Sequence, residues 1–147
     1  MNIGVIGYGF VGRATGEGFA SSKKNKVFWF DKFKESPYSL EEVVENSEYI
    51  FIGVSESKEA IPAALQHKPF AVILDLAIPD VDGWELLSKF REHPDLKNLQ
   101  IIICSILPQE PLSLALGASA FLRKPINQDL LLKTLRQVST PRDFLSD

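Results

Sequence analysis

Met1 to Ala20 reads MNIGVIGYGFVGRATGEGFA. An apolar run, Ile3 to Ile6, leads into Gly7, Gly9 and Gly12, and these open a stretch with helical character at Val11–Ser21. The order strand, glycine turn, helix gives each glycine a separate task. The first permits a tight turn, the second leaves room for a pyrophosphate against bare backbone, and the third lets helix and strand pack closely. Free N–H groups and a partial positive charge at the helix N-terminus then favour an anion. Asp31 closes the next apolar run roughly 20 residues on, where an acid accepts hydrogen bonds from an adenosine ribose. Gly7, Gly9, Gly12 and Asp31 are therefore the candidate cofactor-binding residues.

Further along, short apolar runs recur at Val27–Phe30, Tyr49–Val54, Ala71–Leu74, Ile101–Cys104 and Ala120–Leu122. They are rich in Val, Ile and Phe and mostly do not alternate with polar residues, the pattern of strands buried on both faces. Helical segments are predicted at Leu40–Glu45, Glu59–Gln66, Trp84–His93 and Gln128–Val138. Pro62 falls early in the second of these, where a first turn tolerates it. In the last helix Asn127 is the expected N-cap, and Leu131, Leu132, Leu135 and Val138 form one apolar stripe. Strand–helix alternation along the whole chain predicts an α/β fold: one doubly wound parallel sheet of about six strands, with helices on both faces and right-handed crossovers. The polar tail, Ser139 to Asp147, is expected to fray.

The composition agrees. A chain of 147 residues, 45% hydrophobic and 24% charged, has the makeup of one globular domain rather than a disordered segment. Its net charge of −3 and pI near 5.4 argue against nucleic acid or a membrane surface as partner. One cysteine excludes an internal disulfide framework and a thiolate metal cluster. Cys104 lies inside the run IIIC and reads as a small buried apolar residue. No apolar run approaches the ~20 residues of a membrane span. The N-terminus lacks the basic region of a secretory signal. A cytoplasmic setting is expected.

Two families are resembled, by different stretches. MNIGVIGYGFVGRATGEGFA, with KVFWFD and SEYIFIGV, resembles the NAD-binding domain of UDP-glucose and related nucleotide-sugar dehydrogenases over residues 1–54. The likeness stops at Val54-Ser55-Glu56-Ser57, where that family carries a V-P-T-P loop. No substrate domain or catalytic cysteine is matched, so oxidoreductase activity is not expected. From about residue 55 to 138 the chain resembles a response-regulator receiver domain, most plainly through PFAVILDLAIPDVDGWELLSKFR. That resemblance implies Asp75 as phosphoacceptor, with Pro79, Asp82 and Gly83 at the family's spacing. It implies Ser105 as the hydroxyl residue at the phosphoryl group and Phe121 as the switch aromatic. Lys124 is then the lysine paired with the phosphorylated aspartate, followed by Pro125, usually cis.

A carboxylate attacking a phosphoryl group needs positive charge against the phosphoryl oxygens. Receivers supply it with the lysine and with Mg²⁺ held by an acidic pair after the first strand. Here that place holds Gly7, Tyr8 and Gly9, so weak Mg²⁺ binding is expected. The Ile106–Leu116 connection is about three residues shorter than the usual receiver pattern. Since the family's output surface lies there, no specific protein partner is expected.

Each half lacks part of its own sheet. The reading that joins them is an engineered chimera without evolved activity, with residual NAD or ADP binding and phosphorylation of Asp75 as alternatives. For the strand order the expectation is 3-2-1-4-5-6, which sets Ala71–Leu74 against Ile3–Ile6; the other possibility is 2-1-3-4-5-6. In the first, Asp75 faces the glycine turn. Two unit charges ~4 Å apart repel by ~4 kcal/mol at an effective dielectric near 20, which predicts weak or absent NAD binding.

Overall fold

The computed structural model describes residues 1–54, 57–76, 81–125 and 127–138. Six strands alternate with six helices: β1 (Asn2–Ile6), α1 (Phe10–Ala20), β2 (Lys26–Phe30), α2 (Leu40–Asn46), β3 (Tyr49–Val54), α3 (Ser57–His67), β4 (Ala71–Leu76), α4 (Val81–Glu92), β5 (Gln100–Ser105), α5 (Glu110–Ala115), β6 (Ala120–Arg123) and α6 (Gln128–Val138). The expected tail, 139–147, lies outside the described residues, as does Pro79.

The strands form one parallel sheet in the order β2-β1-β3-β4-β5-β6. This is the α/β sheet expected, but the preferred strand order is corrected. β3, not β4, lies against β1, with Ile3 opposite Tyr49 and Ile6 opposite Ile52. The reason is visible at Gly53. A Cβ on Gly7, which has φ +86°, would stand 2.1 Å from the Gly53 carbonyl oxygen, and a Cβ on Gly12 would stand 1.9 Å from that of Gly7. Three bare backbones meet where α1 begins over the seam between β1 and β3. Only glycine permits that approach.

The order also dictates the layers. The step from β1 to β2 runs one way along the sheet, and every later step runs the other way. Right-handed crossovers therefore put α1 on one face and α2 to α5 on the opposite face. α6, after the last strand, returns to lie beside α1. On its face Ile3, Phe19, Phe51, Ile73, Ile102, Leu122, Leu131 and Leu135 form one buried cluster. On the other, Ile52, Ala60, Ala64, Leu74, Leu87, Phe90, Ile101 and Ile103 form the second. Both faces of β4 and β5 are covered, which is why those runs do not alternate.

Local signals fix the helix ends. Ser39 and Glu42 form a reciprocal capping box on α2, with Glu42 N donating to Ser39 Oγ at 3.1 Å and Ser39 N to Glu42 Oε2 at 2.7 Å. Asn127 caps α6 as expected, its Oδ1 accepting from Leu130 N at 2.7 Å. Pro62 is corrected: α3 starts two residues earlier than expected, so the proline lies inside it, past the first turn. It is exposed there, so its ring points away from the core.

Candidate functional site

In doubly wound sheets ligands meet the carboxyl ends of the strands, and both constellations seen in the sequence lie on that edge. They are not adjacent. The glycine turn follows β1 and Asp31 follows β2. The Asp75, Ser105 and Lys124 set belongs to β4, β5 and the residue after β6. β3 intervenes, so β1 and β4 are two strand spacings apart, about 9–10 Å. The expected repulsion between Asp75 and a pyrophosphate at the glycine turn assumed contact across ~4 Å, and this spacing leaves less than half of it.

At the glycine turn the chain has closed the site on itself. Asp31 is only 8% exposed. Its Oδ2 accepts from Tyr8 N at 2.7 Å and its Oδ1 from Phe33 N at 2.8 Å. Both carboxylate oxygens thus hold backbone amides of this chain rather than facing a ribose. Lys34 Nζ donates to the Tyr8 carbonyl at 2.6 Å, and Tyr8 stacks on Trp29 with ring centroids 4.1 Å apart. Burial, with Glu17 nearby, raises the Tyr8 phenol above its ordinary pKa. Gly9 keeps open space beside it: a Cβ there would meet nothing within 4 Å. Tyr8, Trp29 and Lys34 carried no signal in the glycine motif, because their roles depend on the β1–β2 register that sets Val5 opposite Trp29.

The second set is built by register. Asp75 lies opposite Cys104 and Leu76 opposite Ser105 on the β4–β5 pair, while Ser105 lies opposite Arg123 on β5–β6. Asp75 is placed here by its backbone. Ser105 is fully buried. Its Oγ accepts from Leu107 N at 3.2 Å and its carbonyl accepts from Lys124 N at 2.8 Å. The Lys124–Pro125 peptide is cis. Phe121 is half-buried against the cluster on the α2–α5 face. Cys104 is buried among apolar residues, as its run implied. Asp82 and Gly83 fall in the first turn of α4.

A divalent cation needs hard oxygen ligands converging on one point. Among the described residues no group of three or more His, Cys, Asp or Glu is arranged to hold one. Gly7, Tyr8 and Gly9 bring no carboxylate, and Asp31, just past the edge strand, is committed to the amides of Tyr8 and Phe33. The strand beside β4 is β3, and Ser55 and Glu56, next in sequence, lie outside the described residues. The described residues therefore do not make a cation site.

Comparison with known proteins gives a consistent result. The sequence model of the response regulator receiver domain matches residues 31–136. The response regulator GacA of Pseudomonas protegens is 29% identical over 97 residues, 65% of this chain and 46% of GacA, so the chain spans about half the length of that relative. Protein PilH of Pseudomonas aeruginosa is 24% identical over 116 residues, 77% of this chain and 96% of PilH. Among solved structures, the receiver domain of the sensor histidine kinase PA1611 of Pseudomonas aeruginosa, which holds a magnesium ion in its active site cleft, superposes with a TM-score of 0.54. It is 17% identical, over 93% of this chain and 96% of that one.

These findings overturn the expectation of an engineered chimera without activity. The match begins at residue 31, inside the supposed dehydrogenase half, and runs through the supposed junction near Gly53–Ser57. Doubly wound folds share the plan of strand, tight turn and helix, so the glycine pattern alone did not separate a dehydrogenase from other members of that class.

Proposed function

The chain belongs to the response regulator receiver domain family, and on that footing we propose that it is a signalling module whose Asp75 carboxylate accepts a phosphoryl group. A carboxylate oxygen attacks phosphorus, forming the new P–O bond of an acyl phosphate. The bond from phosphorus to the donor's leaving group breaks, and its electron pair departs with that group. Lys124 supplies positive charge against the phosphoryl oxygens. The Ser105 hydroxyl, which already accepts from Leu107 N, retains its own O–H to donate to one of them.

The observation that supports this reading most is the register of three neighbouring strands. Asp75 on β4, Ser105 at the end of β5 and Lys124 after β6 share the carboxyl edge, with Lys124 tied to Ser105 through the main chain. The reading makes the chain a relay of phosphorylation state rather than an oxidoreductase. We also propose a cytoplasmic location. No described helix is long and apolar enough to cross a membrane.

The test is incubation with a small acyl-phosphate donor, with and without Mg²⁺, followed by intact-mass measurement. The expected result is a gain of one phosphoryl group that Asp75→Asn abolishes and Lys124→Ala slows. A mass gain that survives Asp75→Asn, or none at all under either condition, would overturn the assignment.

A further inference from the structure

β2 is the last strand on its side of the sheet, so one of its backbone edges has no neighbouring strand. The ladder to β1 uses every second residue. Lys26 N donates to the Met1 carbonyl at 2.8 Å, and the Phe30 carbonyl accepts from Gly7 N at 2.9 Å. Lys26, Phe28 and Phe30 therefore spend their main-chain groups on β1, and Val27 and Trp29 turn theirs outward. No hydrogen bond among the described residues reaches those two N–H and two C=O groups. At the next outward residue the edge closes. Asp31 N donates to Ser36 Oγ at 2.9 Å, and the Asp31 carbonyl accepts from Lys34 N at 3.3 Å.

An open edge of this kind is a template for another strand, and its surroundings say which kind of strand. The stretch KKNKVFWFDKFKE, Lys23 to Glu35, carries five lysines against two acids in a chain of net charge −3. One of those acids, Asp31, is buried on its two amides, whereas all five lysines are exposed. Lys23, Lys24 and Lys26 stand at the amino end of β2, Lys32 and Lys34 past its carboxyl end. A second copy would bring its own five lysines to the same edge, and like charges opposed across strands are destabilising. The charges that keep copies apart attract an acidic strand. Between them Trp29 is half-buried and Phe33 is 80% exposed, which gives apolar side chains set between the acids something to pack on.

We propose that the open edge of β2 docks an acidic, extended segment of a partner protein, which adds to the sheet as a seventh strand. The site lies at the other end of the sheet from the shortened Ile106–Leu116 connection. It is independent of the phosphoacceptor reading, since it needs neither Asp75 nor a phosphodonor.

The probe is a synthetic peptide of alternating glutamate and valine, about seven residues long, added to the full chain at low ionic strength. Saturable binding is expected, with hydrogen exchange of the Val27 and Trp29 amides slowed at least tenfold at saturation. The same peptide methylated on its main-chain nitrogens keeps its charges but loses its donors, and is expected to bind at least tenfold more weakly. Lys24→Glu combined with Lys26→Glu is expected to weaken the unmethylated peptide at least fivefold. No binding at millimolar peptide, or equal binding of the methylated form, would overturn the proposal. Tighter binding of phosphatidylserine vesicles or of oligothymidylate than of the peptide would assign the lysines to a membrane or to nucleic acid instead. A dimer of the free chain that protects the same two amides would give the edge to a second copy, and would equally overturn it.

Discussion

Two amides converge on the Asp31 carboxylate and two carbonyl oxygens crowd the faces of Gly7 and Gly12. Single residues therefore set the shape of the turn after β1. Removing the Asp31 carboxylate frees Tyr8 N and Phe33 N together; since hydrogen bonds to a charged acceptor are worth about 1.5–3 kcal/mol, Asp31→Ala should lower stability by about 2–3 kcal/mol in urea denaturation. The glycines should behave unequally. Gly12→Ala drives a methyl into the Gly7 carbonyl and is expected to cost about 3 kcal/mol or more, whereas Gly9→Ala, with open space around it, should cost at most about 1 kcal/mol. Equal losses at both positions would show that the close approach of α1 to β1 and β3 is not what selects glycine. At His67, partial burial lowers the imidazole pKa below its ordinary 6.5. The folded state thus prefers the neutral ring, and the unfolded chain takes up the proton first as pH falls. Stability should decline as pH drops through about 6.5, and His67→Gln should remove that part of the pH dependence in thermal melts. The motif made the identity of the turn residues legible. Their long-range partners were not, because Tyr8 reaches Asp31 and Gly53 reaches Gly7 only through strand pairing.

Elements were legible where period and caps agreed. All six strands stand where non-alternating apolar runs predicted them, most of them extended by a residue or two where pairing recruits a neighbour. α6 coincides with its predicted span because Asn127 and the leucine stripe both mark it. α5 was not foreseen, since leucines at a period of two give no helical stripe to read. Arg91 shows what no periodicity signals. From the last turn of α4 it donates to the carbonyls of Gly117, Lys97 and Leu99, pinning the approaches to β5 and β6. Its burial there lowers the guanidinium pKa. Arg91→Ala should lose about 2–3 kcal/mol in the same denaturation measurement. Arg91→Lys should recover less than half of that, because one ammonium cannot reach three carbonyls through a planar fork.

The whole molecule is a single sheet whose two halves share both cores. β3 hydrogen-bonds to β1 on one side and β4 on the other, and Phe51 packs with Phe19 and Phe70 across that seam. The two tryptophans fall one on each side of it: Trp29 on β2 and Trp84 on α4. Denaturation followed through either tryptophan alone, in Trp84→Phe and Trp29→Phe proteins corrected for their own stability changes, should give one common transition. Two separated midpoints would mean independently folding lobes.

The class of fold, the number of strands and the α6 cap were determined by the sequence by itself, because burial on both faces of a strand and the capping of a helix are local matters written in adjacent residues. Tertiary structure alone decided which strand lies beside β1, and with it the distance from Asp75 to the glycine turn, the closure of Asp31 onto Tyr8 and the open edge of β2. These depend on contacts between residues far apart in the chain, where Gly53 acquires its meaning only once Gly7 and Gly12 are brought against it.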